Sequence, residues 1–188
     1  EENEKAEIFL KKSLDICQVI YGSEHEETLE ELENFIDFLE GREDYNQADL
    51  LYDQLLKSIE NVYSNDHEQT LRIKQNYAVF LRNNTNNLEQ AISLLKEITL
   101  IRRKENNPKD LSSVLTALGT TFLKAEFFDK AHEVLIESID IRRDLFANGD
   151  EDILGSLVSS LNRLIDLYKK TAQNEKIKKI ELEIKRLS

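Results

Sequence analysis

A six-residue phrase occurs twice in this chain, and the two copies lie 42 positions apart. Glu-His-Glu-Glu-Thr-Leu at 24–29 is echoed by Asp-His-Glu-Gln-Thr-Leu at 66–71. Ala6 and Ala48 keep the same separation. Self-similarity at a fixed period of about 40 residues is typical of stacked helical arrays, in which each unit buries its apolar face against its neighbours. The repeat therefore predicts a helical solenoid, a class of protein that holds partners.

Helical spacing of the apolar residues divides the chain into about nine amphipathic segments. These segments lie near 5–21, 25–40, 44–62, 66–82, 87–104, 108–124, 127–145, 150–170 and 173–187. No stretch alternates between polar and apolar residues for long enough to indicate a strand. The fold class expected from the residues is therefore all-α.

Residues with capping chemistry stand at several of the predicted helix starts. Ser23 and Asn65 each precede a glutamate by three positions, which is the spacing of a capping box. Asn107 is followed by Pro108, an N-cap residue before a proline at the first helical position, where its missing N–H costs nothing. Basic clusters at 102–104 and 142–143 are interpreted as cations that oppose the dipole at helix C-termini.

One stretch carries the spacing of a known repeat family. Gly119 is followed three positions later by Phe122 and twelve positions later by Ala131. This pattern resembles the tetratricopeptide repeat (TPR), in which a small residue in the first helix lets the second helix approach closely. Other units keep these offsets with bulky residues, such as Ile36 and Ile165, at the small position. The 42-residue period and the Tyr-Gly-Ser-Glu-His run at 21–25 are similar to the longer repeats of kinesin light chains.

The resemblance implies a right-handed superhelical solenoid of antiparallel helix pairs, with about nine helices in one domain. The register predicts that residues 1–22 are the second helix of a repeat whose first helix precedes the chain. A face on Phe9 would then lack part of its cover, and self-association through this incomplete repeat is one hypothesis. The helix-pair repeats are predicted at 23–64, 65–106, 107–147 and 148–188.

The charge balance limits the kinds of partner. Acidic residues outnumber basic ones by 37 to 25, and the net charge of -12 argues against nucleic acid and anionic membranes. Basic or neutral proteins and peptides are favoured instead. No apolar run approaches the roughly 18 residues that a membrane span needs. Cys17 is the single cysteine, so a reducing, cytoplasmic location is the simpler interpretation.

The histidines do not form a recognisable metal motif. The zinc-protease helix needs a second histidine four residues after the first, but Leu29 and Leu71 stand four residues after His25 and His67. His132 lies on an exposed helix face without a pattern of partners. The sequence therefore predicts no metal site and no cofactor.

The residues that could act as nucleophiles also lack supporting groups. Cys17 is expected to be a small buried hydrophobe on its helix. Serines 156, 159 and 160 are clustered, but no nucleophile elbow accompanies them, and no glycine-rich phosphate loop is present. The chain is therefore predicted not to be an enzyme.

The family resemblance also selects a candidate binding surface. In TPR stacks the first helix of each unit lines a concave groove, and the lining residues have fixed offsets from the small residue. Among the positions that those offsets select, twelve are taken as candidate groove residues: Glu30, Glu33, Asp37, Glu40, Arg72, Gln75, Arg82, Thr116, Thr120, Asn162, Asp166 and Lys169. The first four are acidic and share one helical stripe. They are either the solvated face of an acidic chain or a site for basic partner residues.

Two functions follow from these observations. The first is a non-catalytic scaffold that binds a protein or peptide segment, with basic partner residues on the acidic stripe. The second is a regulatory or sensor segment of a larger enzyme, motor or signalling protein. The best-known peptide mode of the family, which grips a terminal carboxylate, is disfavoured because Glu33 and Asp37 occupy the corresponding clamp positions and would repel it.

Overall fold

The computed structural model describes residues 2–187, apart from the side chain of Asn3. Within these residues the chain forms nine α-helices and no strand. The helices are α1 (Glu2–Tyr21), α2 (Glu26–Gly41), α3 (Tyr45–Val62), α4 (Glu68–Asn84), α5 (Leu88–Lys104), α6 (Pro108–Lys124), α7 (Phe128–Ala147), α8 (Leu154–Lys170) and α9 (Asn174–Leu187). A short 3-10 turn at Glu151–Ile153 leads into α8. The predicted all-α class and the number of helices are confirmed for this part of the chain.

The N-caps of α2 and α4 differ from the prediction. The capping residues are His25 and His67, two positions after Ser23 and Asn65. Each histidine ring stacks on the tyrosine four positions before it, with centroid separations of 4.8 and 4.2 Å. The His67 ring also accepts a hydrogen bond from the backbone N–H of Gln69 at 3.2 Å. The predicted capping boxes were wrong because these turns place the histidines at the helix entrances.

The predicted start of α6 is confirmed. The side chain of Asn107 accepts a hydrogen bond from the backbone N–H of Asp110 at 3.2 Å, and Pro108 occupies the first turn. A side-chain oxygen thus satisfies one of the N–H groups that a helix start leaves without an intrahelical partner.

The chain forms two compact units, Glu1–Thr85 and Asn86–Ser188. In the first unit α1 packs on α2, α2 on α3 and α3 on α4. In the second unit each helix from α5 to α9 packs on the next, and α6 also contacts α8. Most connections are only three to five residues long, so consecutive helices within a unit are antiparallel. The predicted boundaries of the individual repeats stay a prediction.

Small residues set the distance between paired helices. A methyl group added at Gly119 on α6 would lie 2.6 Å from Cγ of Leu135 on α7, closer than any ordinary contact. Ala48, Ala91 and Ala131, near the starts of α3, α5 and α7, are fully buried. The spacing that suggested helix pairs in the sequence therefore corresponds to close packing in the structure.

Three helix-to-helix turns share a backbone conformation that glycine usually adopts. Glu43, Glu126 and Ala172 have φ values of 61°, 61° and 54°. In each turn the next residue donates its N–H to a carbonyl five positions earlier. These bonds are Asp44 to Leu39, Phe127 to Phe122 and Gln173 to Tyr168, each at 2.9 Å. This is the helix-ending Schellman pattern, with residues other than glycine at the left-handed position.

The first and last helices are less buried than the rest. Phe9 on α1 is 69% exposed, whereas Leu14 on the same helix is buried. No residue of α9 is buried. Self-association through α1 stays a prediction.

Candidate partner-binding surface

The four predicted acidic residues lie along α2, but their surroundings divide them into two pairs. Glu33 and Glu40 are half-buried, and each bonds to a residue on another helix. Glu30 and Asp37 are exposed, and neither makes a hydrogen bond or an ion pair with the described residues. The acidic stripe therefore consists of two carboxylates used within the fold and two that face solvent.

Glu33 is held by Arg72, a second predicted groove residue. The Nη1 and Nη2 atoms of Arg72 on α4 donate to the two carboxylate oxygens of Glu33 on α2 at 2.7 and 2.8 Å. The Nε atom of Arg72 donates to Oε1 of Gln69 at 2.9 Å. Forked pairs of this kind are stronger and more directional than single-contact surface pairs. The ion pair of Glu33 and Arg72 thus joins α2 to α4 across the candidate surface.

Glu40 is directed toward α3. The hydroxyl of Tyr52 donates to Oε1 of Glu40 at 2.8 Å, and the Tyr52 ring stacks on Tyr77 at 4.9 Å. Burial, followed by the hydrogen bond to Glu40, raises the pKa of the Tyr52 hydroxyl far above its ordinary value. Tyr52 therefore stays protonated and acts as a hydrogen-bond donor at physiological pH.

Asp37 lies in an unfavourable electrostatic environment. Partial burial, followed by repulsion from Glu33, raises the pKa of Asp37, while Arg72 opposes the shift. A carboxylate with a raised pKa in the folded state destabilises the fold in its charged form. The contribution of Asp37 to folding stability is most favourable at pH values below the ordinary aspartate pKa of about 4. This contribution is lost as the pH rises through the folded-state pKa.

We therefore expect Asp37→Asn to stabilise the protein at pH 7 and to have no effect at pH 3. The gain should be on the order of a few tenths of a kcal/mol, because the side chain is exposed and screened by water. Thermal unfolding followed by circular dichroism at both pH values measures it. Asp15→Asn, which removes an exposed charge on α1, controls for the net charge. An equal gain in both variants would contradict a local cause at Asp37.

The two other predicted groove residues of the first unit, Gln75 and Arg82, lie further along α4. Gln75 is half-buried, and the Nε atom of Arg82 donates to Oδ1 of Asn83 at 3.1 Å. The structure thus brings Glu33 and Arg72 into contact, while Arg82 bonds to the residue that follows it on α4.

The predicted groove residues of the second unit lie on α6 and α8. The hydroxyl of Thr116 is within 2.8 Å of the Ser138 hydroxyl and 2.9 Å of the Ser160 hydroxyl, so it joins α6 to α7 and to α8. Thr120 donates to the backbone carbonyl of Thr116 at 2.8 Å. The remaining three, Asn162, Asp166 and Lys169, lie on α8, where Asp166 pairs with Arg163 at 3.6 Å. Thr116 is therefore part of a polar contact between helices.

A buried arginine in the second unit escaped prediction. Arg142 on α7 is only 5% exposed, and its guanidinium bonds to the hydroxyl of Ser112 on α6 at 3.1 Å. It also donates to the backbone carbonyl of Ser156 at 2.6 Å and to the hydroxyl of Ser160, both on α8. No carboxylate of the described residues forms an ion pair with Arg142. Burial lowers the pKa of its guanidinium.

The interpretation of this basic cluster as a helix-end cation was wrong, because α7 continues to Ala147 and Arg142 lies within it. Its side chain instead links three helices. Arg143 also acts between helices, since its Nε and Nη2 atoms donate to Glu183 on α9 at 2.9 and 2.7 Å. Arg103 on α5 makes a similar pair with Glu137 on α7 at 2.6 and 2.7 Å. An arginine–glutamate pair thus joins α5 to α7, and a second one joins α7 to α9.

A pocket of about 190 Å³ opens between α2, the end of α3 and the start of α4. It is lined by Glu26, Leu29, Glu30, Glu33, Ile59, Tyr63, Gln69 and Arg72. Three of the predicted groove residues are therefore in its wall. Of the other lining residues, Tyr63 could have been found from the sequence, because a tyrosine stands four positions before each N-cap histidine.

The described residues contain no group of three or more histidine, cysteine, aspartate or glutamate side chains placed to hold a metal ion. His132 has a partner that the sequence did not indicate, since its Nε2 atom hydrogen-bonds the Tyr168 hydroxyl at 3.0 Å. Cys17 is half-buried rather than fully buried. Among residues 2–187, no helix combines the length and the hydropathy that a membrane span requires.

Neither protein-family models nor curated proteins give a match to this chain. Solved structures do. The chain is similar to the nearly identical TPR-like repeats of a kinesin light chain-like protein from Podosopora anserina, with a TM-score of 0.82, 16% identity, and coverage of 98% of this chain and 86% of that one. The chain has a TPR-like fold.

Two further solved structures support the same conclusion. A double mutant of MamA from RS-1 matches with a TM-score of 0.65 and 17% identity, over 98% of this chain and 84% of that one. BtubC from P. vanneervenii matches with a TM-score of 0.59 and 13% identity, over 100% of this chain and 91% of that one. At these identities the likeness concerns the fold. The predicted resemblance to TPR repeats is confirmed at that level.

Proposed function

We propose that this chain is a non-catalytic scaffold that binds a partner protein through a segment held on the surface of α2 and α4. The TPR-like fold supports this proposal, because stacked helix pairs present broad surfaces suited to extended or helical segments. The partner segment is basic. Its positive side chains lie opposite Glu30 and Asp37.

The observation that carries the proposal is the pair of uncommitted carboxylates on α2. Glu30 and Asp37 are seven positions apart, about two helical turns or 10 Å along one face. Glu33, between them, is already neutralised by Arg72. Retaining Asp37 where its charged form is unfavourable for folding is consistent with a binding role, since functional surfaces often reduce stability.

Charge reversal tests this function. A partner captured by the wild-type chain from its native source should bind the Glu30→Lys/Asp37→Lys variant at least tenfold more weakly, and the single Asp37→Lys variant should be intermediate. The remaining binding should depend less on salt, because opposite charges across the interface have been removed. Isothermal titration calorimetry at two salt concentrations measures both effects.

The matched control is Glu126→Lys/Glu181→Lys, which makes the same change in net charge within the second unit. Circular dichroism should show that both double variants remain helical. Wild-type affinity in the Glu30→Lys/Asp37→Lys variant would refute this assignment of the surface.

A further inference from the structure

The pocket beside Glu30 has an apolar floor and a polar rim. Leu29 and Ile59 are 5% and 2% exposed and form the floor together with the half-buried Tyr63. The Tyr63 ring is held in place by stacking on His67. A pocket of this construction suits a side chain with an apolar stem and a polar end.

The rim contains one cation, and that cation is already used. Arg72 directs two nitrogens at Glu33 and the third at Gln69, so its donors point to groups of the rim itself. An acidic ligand group would have to compete with these bonds. The carboxylate of Glu33 is likewise occupied.

Two carboxylates of the rim remain. Glu26 and Glu30 are four positions apart, one turn along α2, and both are exposed. Neither makes a hydrogen bond or an ion pair with the described residues. A positive group between them would bring opposite charges together, and it would relieve the repulsion between two like charges at this spacing.

We infer that this pocket takes one long cationic side chain, arginine or lysine, from the partner segment. The methylene stem lies on Leu29, Ile59 and Tyr63, and the charged end lies between Glu26 and Glu30. This inference rests on the proposed function and adds to it a defined position for one basic residue of the partner. An uncharged side chain of the same shape would lack the charge that the rim complements.

Short peptides test the pocket directly. The probes are acetylated and amidated pentapeptides, Ala-Ala-X-Ala-Ala, in which X is arginine, lysine or citrulline. Citrulline keeps the shape of arginine without its charge. In titrations followed by amide NMR spectra of the full chain, the arginine or lysine peptide should produce saturable shifts at residues 26–33 and 69–72. The citrulline peptide should bind at least tenfold more weakly.

Two variants locate the effect. Glu26→Gln/Glu30→Gln should weaken binding of the cationic peptide at least tenfold, and Glu126→Gln/Glu181→Gln, with the same change in net charge, should leave it unchanged. Thermal unfolding should confirm that both variants are folded. Equal shifts from the citrulline peptide, or no saturable shift from either cationic peptide, would overturn the inference.

The result is distinguishable from a failure of the proposed function. If the captured partner binds the Asp37→Lys variant more weakly but the cationic peptides cause no amide shifts at the pocket, only the pocket inference fails. If the captured partner is also indifferent to Asp37→Lys and to Glu30→Lys/Asp37→Lys, the assignment of the surface fails with it.

Discussion

Replacing Arg142 with alanine is expected to lower the free energy of unfolding by about 3 kcal/mol. The variant removes the hydrogen bonds that the guanidinium donates to the Ser156 carbonyl and to two serine hydroxyls, and a hydrogen bond to a charged group contributes about 1.5–3 kcal/mol. It also removes a buried methylene stem and opens a cavity. Part of this loss is offset, because the variant no longer buries a cation that has no carboxylate partner, and the cost of desolvating that cation disappears.

Two comparison variants separate these effects. Arg142→Met keeps most of the stem and loses the hydrogen bonds, so it should cost about 1 kcal/mol. Arg103→Ala removes an exposed arginine with a surface ion pair and should cost less than about 1 kcal/mol. Urea or thermal unfolding measures all three variants. A loss below about 1 kcal/mol for Arg142→Ala would mean that the three-helix contact contributes little to stability.

Replacing either of two helical glycines with alanine is expected to change the stability, but in opposite directions. Gly119→Ala should destabilise the protein by about 1–2 kcal/mol, because its methyl group would lie 2.6 Å from the buried Leu135 side chain. Gly155→Ala on α8 meets nothing within 4 Å. It should stabilise by about 0.5–1 kcal/mol, since alanine favours the helix and restricts the unfolded chain.

Thermal unfolding of the two variants measures whether each change raises or lowers the stability. A Leu135→Ala background tests the cause of the effect at Gly119. In a chain that already carries Leu135→Ala, the 2.6 Å contact is absent and Cγ2 of Val134, at 3.1 Å, is the close neighbour that remains, so Gly119→Ala should destabilise much less. A Gly119→Ala variant as stable as the wild type would contradict close packing of α6 on α7.

The helices could be predicted from the sequence because their signals are local. Asn107 and Pro108 start α6 where capping chemistry and proline geometry agree. The spacing of Gly119 and Ala131 predicted the helix pair because small residues are needed there: Gly119 lies against Leu135 of α7, and Ala131 of α7 is fully buried. Periodicity also placed the acidic stripe on one face of α2. These inferences need only residues within one or two helices.

The candidate surface was harder to predict because its contacts join distant residues. The offsets that selected Glu33 and Arg72 described both as groove residues, but periodicity does not show that two residues 39 positions apart bond to each other. Arg142 was misinterpreted for a similar reason, since its serine partners lie on two other helices. The histidine N-caps could have been found from the tyrosine four positions before each.

The turns at Glu43, Glu126 and Ala172 suggest how this protein could change during evolution. Each holds a side chain in a backbone region that glycine occupies with less strain. These residues lie between helices rather than on the α2–α4 surface. Overall stability can therefore rise or fall through substitutions at the turns while the proposed binding surface stays constant, so stability and the proposed partner contacts are free to evolve separately.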